Sequence, residues 1–156
     1  MHQQLSGALW FLKLLPETLL FQRTAPSAIR EAKLDPRDHA THAKLVEIME
    51  TEHLYREHGL GISDLASKLG VPQHQLRALI NQGLGFRNFA AFLNRYRLME
   101  AKAALADPTL ARTQILTIAM DAGYASLATF NRAFKSEEGM TPSAFRAEAL
   151  SKASQT

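Results

Sequence analysis

The sequence predicts an all-α fold, and three observations carry that expectation. Apolar residues recur at three- and four-residue steps through the segments that follow Thr41, the period of a half-buried helix. Glycine and proline fall between those segments, as stop and start signals do. No stretch shows alternating apolar and polar residues of comparable strength, so no strand is expected.

A chain of 156 residues with 46% hydrophobic residues buries a real core as one domain with an appendage. It has no cysteine, which removes disulfide and thiolate chemistry and fits a cytoplasmic setting. The net charge is +3, and the excess is uneven. Residues 60–150 hold ten Lys/Arg against seven Asp/Glu, whereas residues 1–59 hold seven against eight. A modest basic balance permits a polyanionic partner without demanding one.

Residues 1–40 form the first region. Leu5 to Phe21 is mostly apolar, with Trp10 and Phe11 inside it, and it predicts an N-terminal apolar helix. Lys13, Pro16 and Glu17 interrupt it, so it is a poor membrane span, and it has no signal-peptide pattern. Two readings stand. The segment packs on the domain or on a second copy as a homodimer, or it is the trailing end of a membrane or sensor region belonging to a longer protein. Arg23 to His39 reads as a linker with one short helix.

Residues 41–150 form the main domain, and 151–156 a tail. Leu45, Ile48 and Met49 predict an amphipathic helix from Thr41 to about Arg56, broken by Gly59 and Gly61. Ser63 is the expected N-cap of the next helix, with Leu65, Ala66 and Leu69 inward and Gly70 as its stop. Pro72 suits the first turn of the helix after it, whose inner face is Leu76, Leu79 and Ile80. Gln73, His74, Arg77, Asn81 and Gln82 remain outside. Phe86 to Leu105 is the longest periodic run. Its expected inner face is Phe89, Leu93, Tyr96, Met99 and Ala103, and its solvated face Arg87, Asn94, Arg95, Arg97 and Lys102. Asp107-Pro108 ends it. Thr113 opens the next helix, with a buried stripe of Ile115, Leu116, Ile118 and Ala119 and a stop at Gly123. Ser126 caps the following helix, with Thr129, Phe130, Ala133 and Phe134 inward. Gly139 stops that helix. Thr141 caps a last one, with Pro142 at its first position and Phe145 packed inward.

Two helix, turn, helix units emerge, at Ile62–Asn81 and Ile115–Lys135, joined by the long helix. A connecting helix of that length spans about 30 Å, close to the roughly 34 Å repeat of B-DNA. Two such units would therefore reach successive stretches of one major groove.

The residues Ile118-Ala119, Gly123-Tyr124, Phe130, Arg132, Phe134-Lys135, Gly139 to Pro142 and Phe145-Arg146 run in an order that resembles the DNA-binding domain of AraC/XylS-type transcription regulators. Asn88-Phe89, Tyr96-Arg97, Ala101 and Leu105 resemble that family's connecting helix. Leu65-Ala66, Leu69 to Val71 and Leu76 resemble its first unit. The resemblance covers residues 41–148. It implies seven helices in two bundles, each offering a recognition helix to double-stranded DNA, with RNA polymerase as a further partner. The segment from Leu54-Tyr55 through Gly61 to Leu65, with Leu79 to Gln82 and Asn94 to Arg97, is most similar to members whose sensing part is a multi-helix membrane region. That would make this chain the cytoplasmic piece.

Base reading is assigned to Gln73, His74 and Arg77 in the first unit, since Arg pairs with guanine and Gln with adenine. The family often carries arginine at the position of Ala78, so reading here rests on Arg77 or takes another form. In the second unit Leu127, Ala128, Asn131 and Arg132 hold the outward positions. Leu127 and Ala128 suit thymine methyls. Arg132 suits a base or phosphate, or else pairs with an acid such as Glu137. Phosphate contacts fall to Asn81, Ser126, Lys135 and Thr141, with Ser126 and Thr141 marking helix starts whose amides attract anions. Arg87, Arg95 and Arg146 are weaker candidates. The aromatic residues Phe89, Tyr96, Phe130, Phe134 and Phe145 have core spacing. No catalytic motif is present, and His39, His42, His53 and His58 make a poor metal set, so neither an enzyme nor a cofactor or metal is expected. The alternative function is a protein-interaction module whose helix-turn-helix units do not bind DNA specifically.

Overall fold

The computed structural model describes residues 35–154, so the expectations for Leu5 to Phe21 and for most of the linker lie outside the described residues. Seven α-helices and no strand occur among them: α1 (Pro36–Glu47), α2 (Ile62–Leu69), α3 (Gln73–Ala78), α4 (Phe89–Ala106), α5 (Ile115–Asp121), α6 (Leu127–Glu138) and α7 (Pro142–Ala153). The fold is all-α, with two helical bundles joined by α4.

The first bundle closes on Leu45, Met49, Leu65, Leu76, Leu79, Ile80 and Phe92, all at most 1% exposed. The second closes on Ala101, Leu105, Ala119, Ala122, Tyr124, Phe130 and Phe134, equally buried. Phe130 and Phe134 stack edge to face at 5.5 Å, and Phe134 meets Phe145 in the same way at 5.4 Å. No polar or charged residue is fully buried among the described residues, so each core is held by apolar contact.

The connecting helix departs from its expected face. Phe92 and Leu93 enter the first core, while Leu98, Ala101 and Leu105 enter the second. Met99 is only half-buried and Ala103 is exposed. A single apolar stripe cannot serve two bundles on different sides of one helix, so the buried face rotates between its halves. Residues of its expected solvated face are engaged, Arg97 and Lys102 among them. Lys102 pairs with Glu138 at 2.6 Å, and Arg97 is half-buried.

Other differences are local. The predicted helix over 41–56 starts earlier, at Pro36, and ends in a π-helical turn, Ile48–Glu52. His53 then adopts φ 51° and turns the chain into a 3-10 turn, Leu54–Arg56. The N-cap of α2 is Gly61 rather than Ser63, and its amide donates to the Asp64 carboxylate at 2.8 Å. Gln114, not Thr113, precedes α5. Leu116 is 44% exposed, outside the stripe expected for it: Ile118 and Ala119 are buried in the core and Ile115 packs against it, while Leu116 faces away. Thr129 is likewise exposed. The caps at Ser126 and Thr141 are as expected: Ser126 Oγ accepts from the Thr129 amide and Thr141 Oγ1 from the Ala144 amide, each at 3.2 Å.

Candidate nucleic-acid interface

The first unit is α2, the turn at Gly70 and α3. Leu65 and Leu69 of α2 and Leu76 of α3 lie in one core, which fixes the two helices against each other. Gly70 sits at φ 71°, the left-handed conformation that ends α2 without a Cβ penalty. With Leu76 inward, Gln73, His74 and Arg77 point away from the core, and all three are exposed. Asn81 is also exposed, in a π-helical turn, Leu79–Gly83, that extends α3.

The second unit is α5, the turn at Ala122-Gly123 and α6. Phe130 and Phe134 anchor α6. Ala128, Asn131, Arg132 and Lys135 are exposed on its other side. Leu127 is a correction. It is half-buried and packs against the second core, so its position one residue after the cap turns it toward the bundle. The outward surface of α6 is therefore Ala128, Asn131, Arg132 and Lys135.

Cations on these two faces have no structural work. Among the described residues, the side chains of Arg77, Arg132 and Lys135 enter no ion pair and no hydrogen bond, and the Arg132–Glu137 pair does not form. Arg146 is different. It is half-buried and its Nη1 donates to the Ala111 carbonyl at 3.3 Å, which makes it part of the second bundle's packing. The hydroxyls of Ser126 and Thr141 are used as caps on the Thr129 and Ala144 amides, leaving the Leu127 and Ala128 amides of α6 and the Ser143 amide of α7 as the first-turn groups able to meet an anion.

Between the units lies the contact that sequence reasoning missed. Arg97 Nε donates to the Tyr55 carbonyl at 2.7 Å and Nη2 to the Glu57 carbonyl at 3.2 Å. Its guanidinium carbon stands 5.7 Å from the centre of the Tyr124 ring. Burial pushes the guanidinium below its ordinary pKa, and burial pushes the Tyr124 hydroxyl above its own. Arg56 pairs with Glu100 at 2.8 Å in the same region. No local signal marks Arg97, because its partners are backbone carbonyls forty or more residues away and an aromatic ring in the other bundle.

Three comparisons bear on this arrangement. A helix-turn-helix domain family matches residues 65–148. A probable transcription factor PqrA from Proteus vulgaris is 31% identical over 102 residues, covering 65% of this chain and 80% of that protein. Two solved structures share the fold. One is a transcriptional regulator with an AraC-type DNA-binding domain from Chromobacterium violaceum, with a TM-score of 0.62 at 24% identity over 74% of this chain and 96% of that one. The other is the C-terminal domain of AraT, a response regulator from Geobacillus stearothermophilus, with a TM-score of 0.58 at 24% identity over 74% and 88%.

Proposed function

The chain belongs to the helix-turn-helix domain family that matches residues 65–148 and is a sequence-specific DNA-binding transcription regulator, and we propose that, in the manner of an AraC-type domain, α3 and α6 read two adjacent major-groove segments of one site. The observation that carries the proposal is the pair of exposed faces. Gln73, His74 and Arg77 on one, and Ala128, Asn131 and Arg132 on the other, lie on the second helix of each unit. None of the three charged or amide groups of highest reading capacity, Arg77, Asn131 and Arg132, has a partner among the described residues. The helix α4 has 18 residues and spans about 27 Å, which suits two segments about one helical turn apart.

In this reading Arg77 and Arg132 bond guanine edges, Gln73 and Asn131 suit adenine, and Ala128 meets a thymine methyl. Asn81, Lys135 and the first-turn amides at Ser126 and Thr141 hold the phosphates. RNA polymerase would be the second partner, reached by contact or blocked by occlusion, in the cytoplasm and with no catalytic step. One chain carries both reading helices, so a monomer suffices for a two-part site.

The test is selection of bound duplexes from a random library with the wild-type chain and with Arg77→Ala and Arg132→Ala. The expected result is a two-part motif, with a different part blurred by each substitution and affinity for the selected site reduced about 10- to 100-fold. No enrichment, together with DNA retention that ignores salt, would overturn the reading and leave an interaction module.

A further inference from the structure

We propose that Arg97 is a positioning residue that fixes the spacing and angle between the two reading helices. The inference about DNA spacing rests on the two-part reading above, while its structural half stands without it.

The Tyr55 carbonyl is where the bundles meet. It accepts a hydrogen bond from Arg97 Nε, and Gly123 of the second unit lies against it from the other side. A Cβ on Gly123 would stand 2.6 Å from that carbonyl oxygen and 2.8 Å from Arg56 Cα, so only glycine permits the approach. Gly123 also has φ 96°, which disfavours any side chain. Tyr55 belongs to the first core and Tyr124 to the second. One guanidinium therefore bonds the loop that leads into the first unit and covers the ring that follows the turn of the second.

The connecting helix alone does not impose this geometry. Its two halves are buried in different cores, and the direct contacts between the bundles add a constraint on their mutual angle. Arginine suits the task because its planar fork directs donors at two carbonyls while its face rests on an aromatic ring. A lysine keeps the charge but offers no such fork. The Arg56–Glu100 pair is a second, exposed latch on the same loop.

Two measurements test the proposal. The chain has no cysteine, so Gln82→Cys with Ser136→Cys places two spin labels at exposed sites beside α3 and α6 in the free protein. Dipolar spectroscopy should give one narrow distance distribution with Arg97 present and a broadened one with Arg97→Lys or Arg97→Gln, at unchanged helical circular dichroism. The second measurement titrates the selected two-part site with one or two base pairs added or removed between its parts. Wild-type affinity should fall about 100-fold on respacing, because both helices no longer engage together. Arg97→Lys should bind the native spacing about tenfold less tightly and show a flattened spacing profile. An unchanged distance distribution, or a wild-type spacing profile merely lowered evenly, would overturn the assignment. A single-part wild-type motif would sink the two-helix reading instead, and the distance distribution would still decide the role of Arg97. Should Arg97→Gln fail to fold, Arg97→Lys and Arg56→Gln carry both measurements, the latter loosening the loop from an exposed position with a smaller broadening.

Discussion

Leu127 and Ala128 sit side by side on α6 and face different surroundings. Leu127 follows the Ser126 cap and packs on the second core, whereas Ala128 beside it is exposed. Leu127→Ala should therefore cost stability, about 1–2 kcal/mol, below the roughly 2–5 kcal/mol of a fully buried leucine. Ala128→Ser should leave stability unchanged while altering the selected DNA motif. Urea denaturation of both variants checks this, and an unchanged midpoint for Leu127→Ala would return that residue to the reading surface. Most candidate residues were legible at this scale, because Gln73, His74, Arg77, Asn131 and Arg132 fall opposite a clear apolar stripe. Leu127 and Leu116 were not. Periodicity assigns a face from the residue's own helix, while both are decided by how far a neighbouring helix reaches.

Elements owe their ends to short-range chemistry, and that chemistry is readable where the capping residue is unambiguous. Ser126, Gly139, Thr141 and Pro142 stand where the sequence places them, with the hydroxyl and glycine geometry expected of caps. Asn88 is the cap of the connecting helix, its Oδ1 accepting from the Ala91 amide at 2.8 Å. Asn88→Ala should lower stability by about 1 kcal/mol, measurable as a lower thermal midpoint, and Asn88→Ser should restore most of it. Equal midpoints for all three would show that packing alone sets the start of α4. The helix over 41–56 was readable in kind but not in course. His53 enters the left-handed region, with its Nδ1 3.2 Å from the Tyr55 hydroxyl, and a positive φ at a residue other than glycine has no signature in apolar spacing.

The molecule as a whole carries its three tyrosines at the junctions of its parts, and this sets a limit in alkali. Tyr55 and Tyr96 stack at 5.7 Å between the 3-10 turn and α4, and Tyr124 lies beneath Arg97. Burial pushes Tyr96 up to about 12 from an ordinary 10.0, and burial first, then Glu100, pushes Tyr55 higher still. The folded chain thus holds phenolic protons that the unfolded chain releases near pH 10. Stability from this source is complete below pH 10 and is lost as pH rises through the folded values, by about 1.4 kcal/mol per pH unit for each tyrosine still protonated in the fold. Denaturant midpoints should be flat from pH 7 to 9 and fall steeply above pH 10. A midpoint that declines evenly across the whole range would place the titrating groups elsewhere.

Spacing and caps were enough for the fold class, the two helix-turn-helix units, their order around one long helix and most of the exposed positions on α3 and α6. Each of these follows from spacing within a single element or from a cap a few residues away. Packing between distant segments settles that the connecting helix divides its buried face between two cores, that Leu127 packs on the second core, and that Arg97 leaves solvent to bind the Tyr55 and Glu57 carbonyls. Those outcomes depend on groups forty residues apart meeting through backbone atoms, and a backbone carbonyl is the same at every position of a sequence.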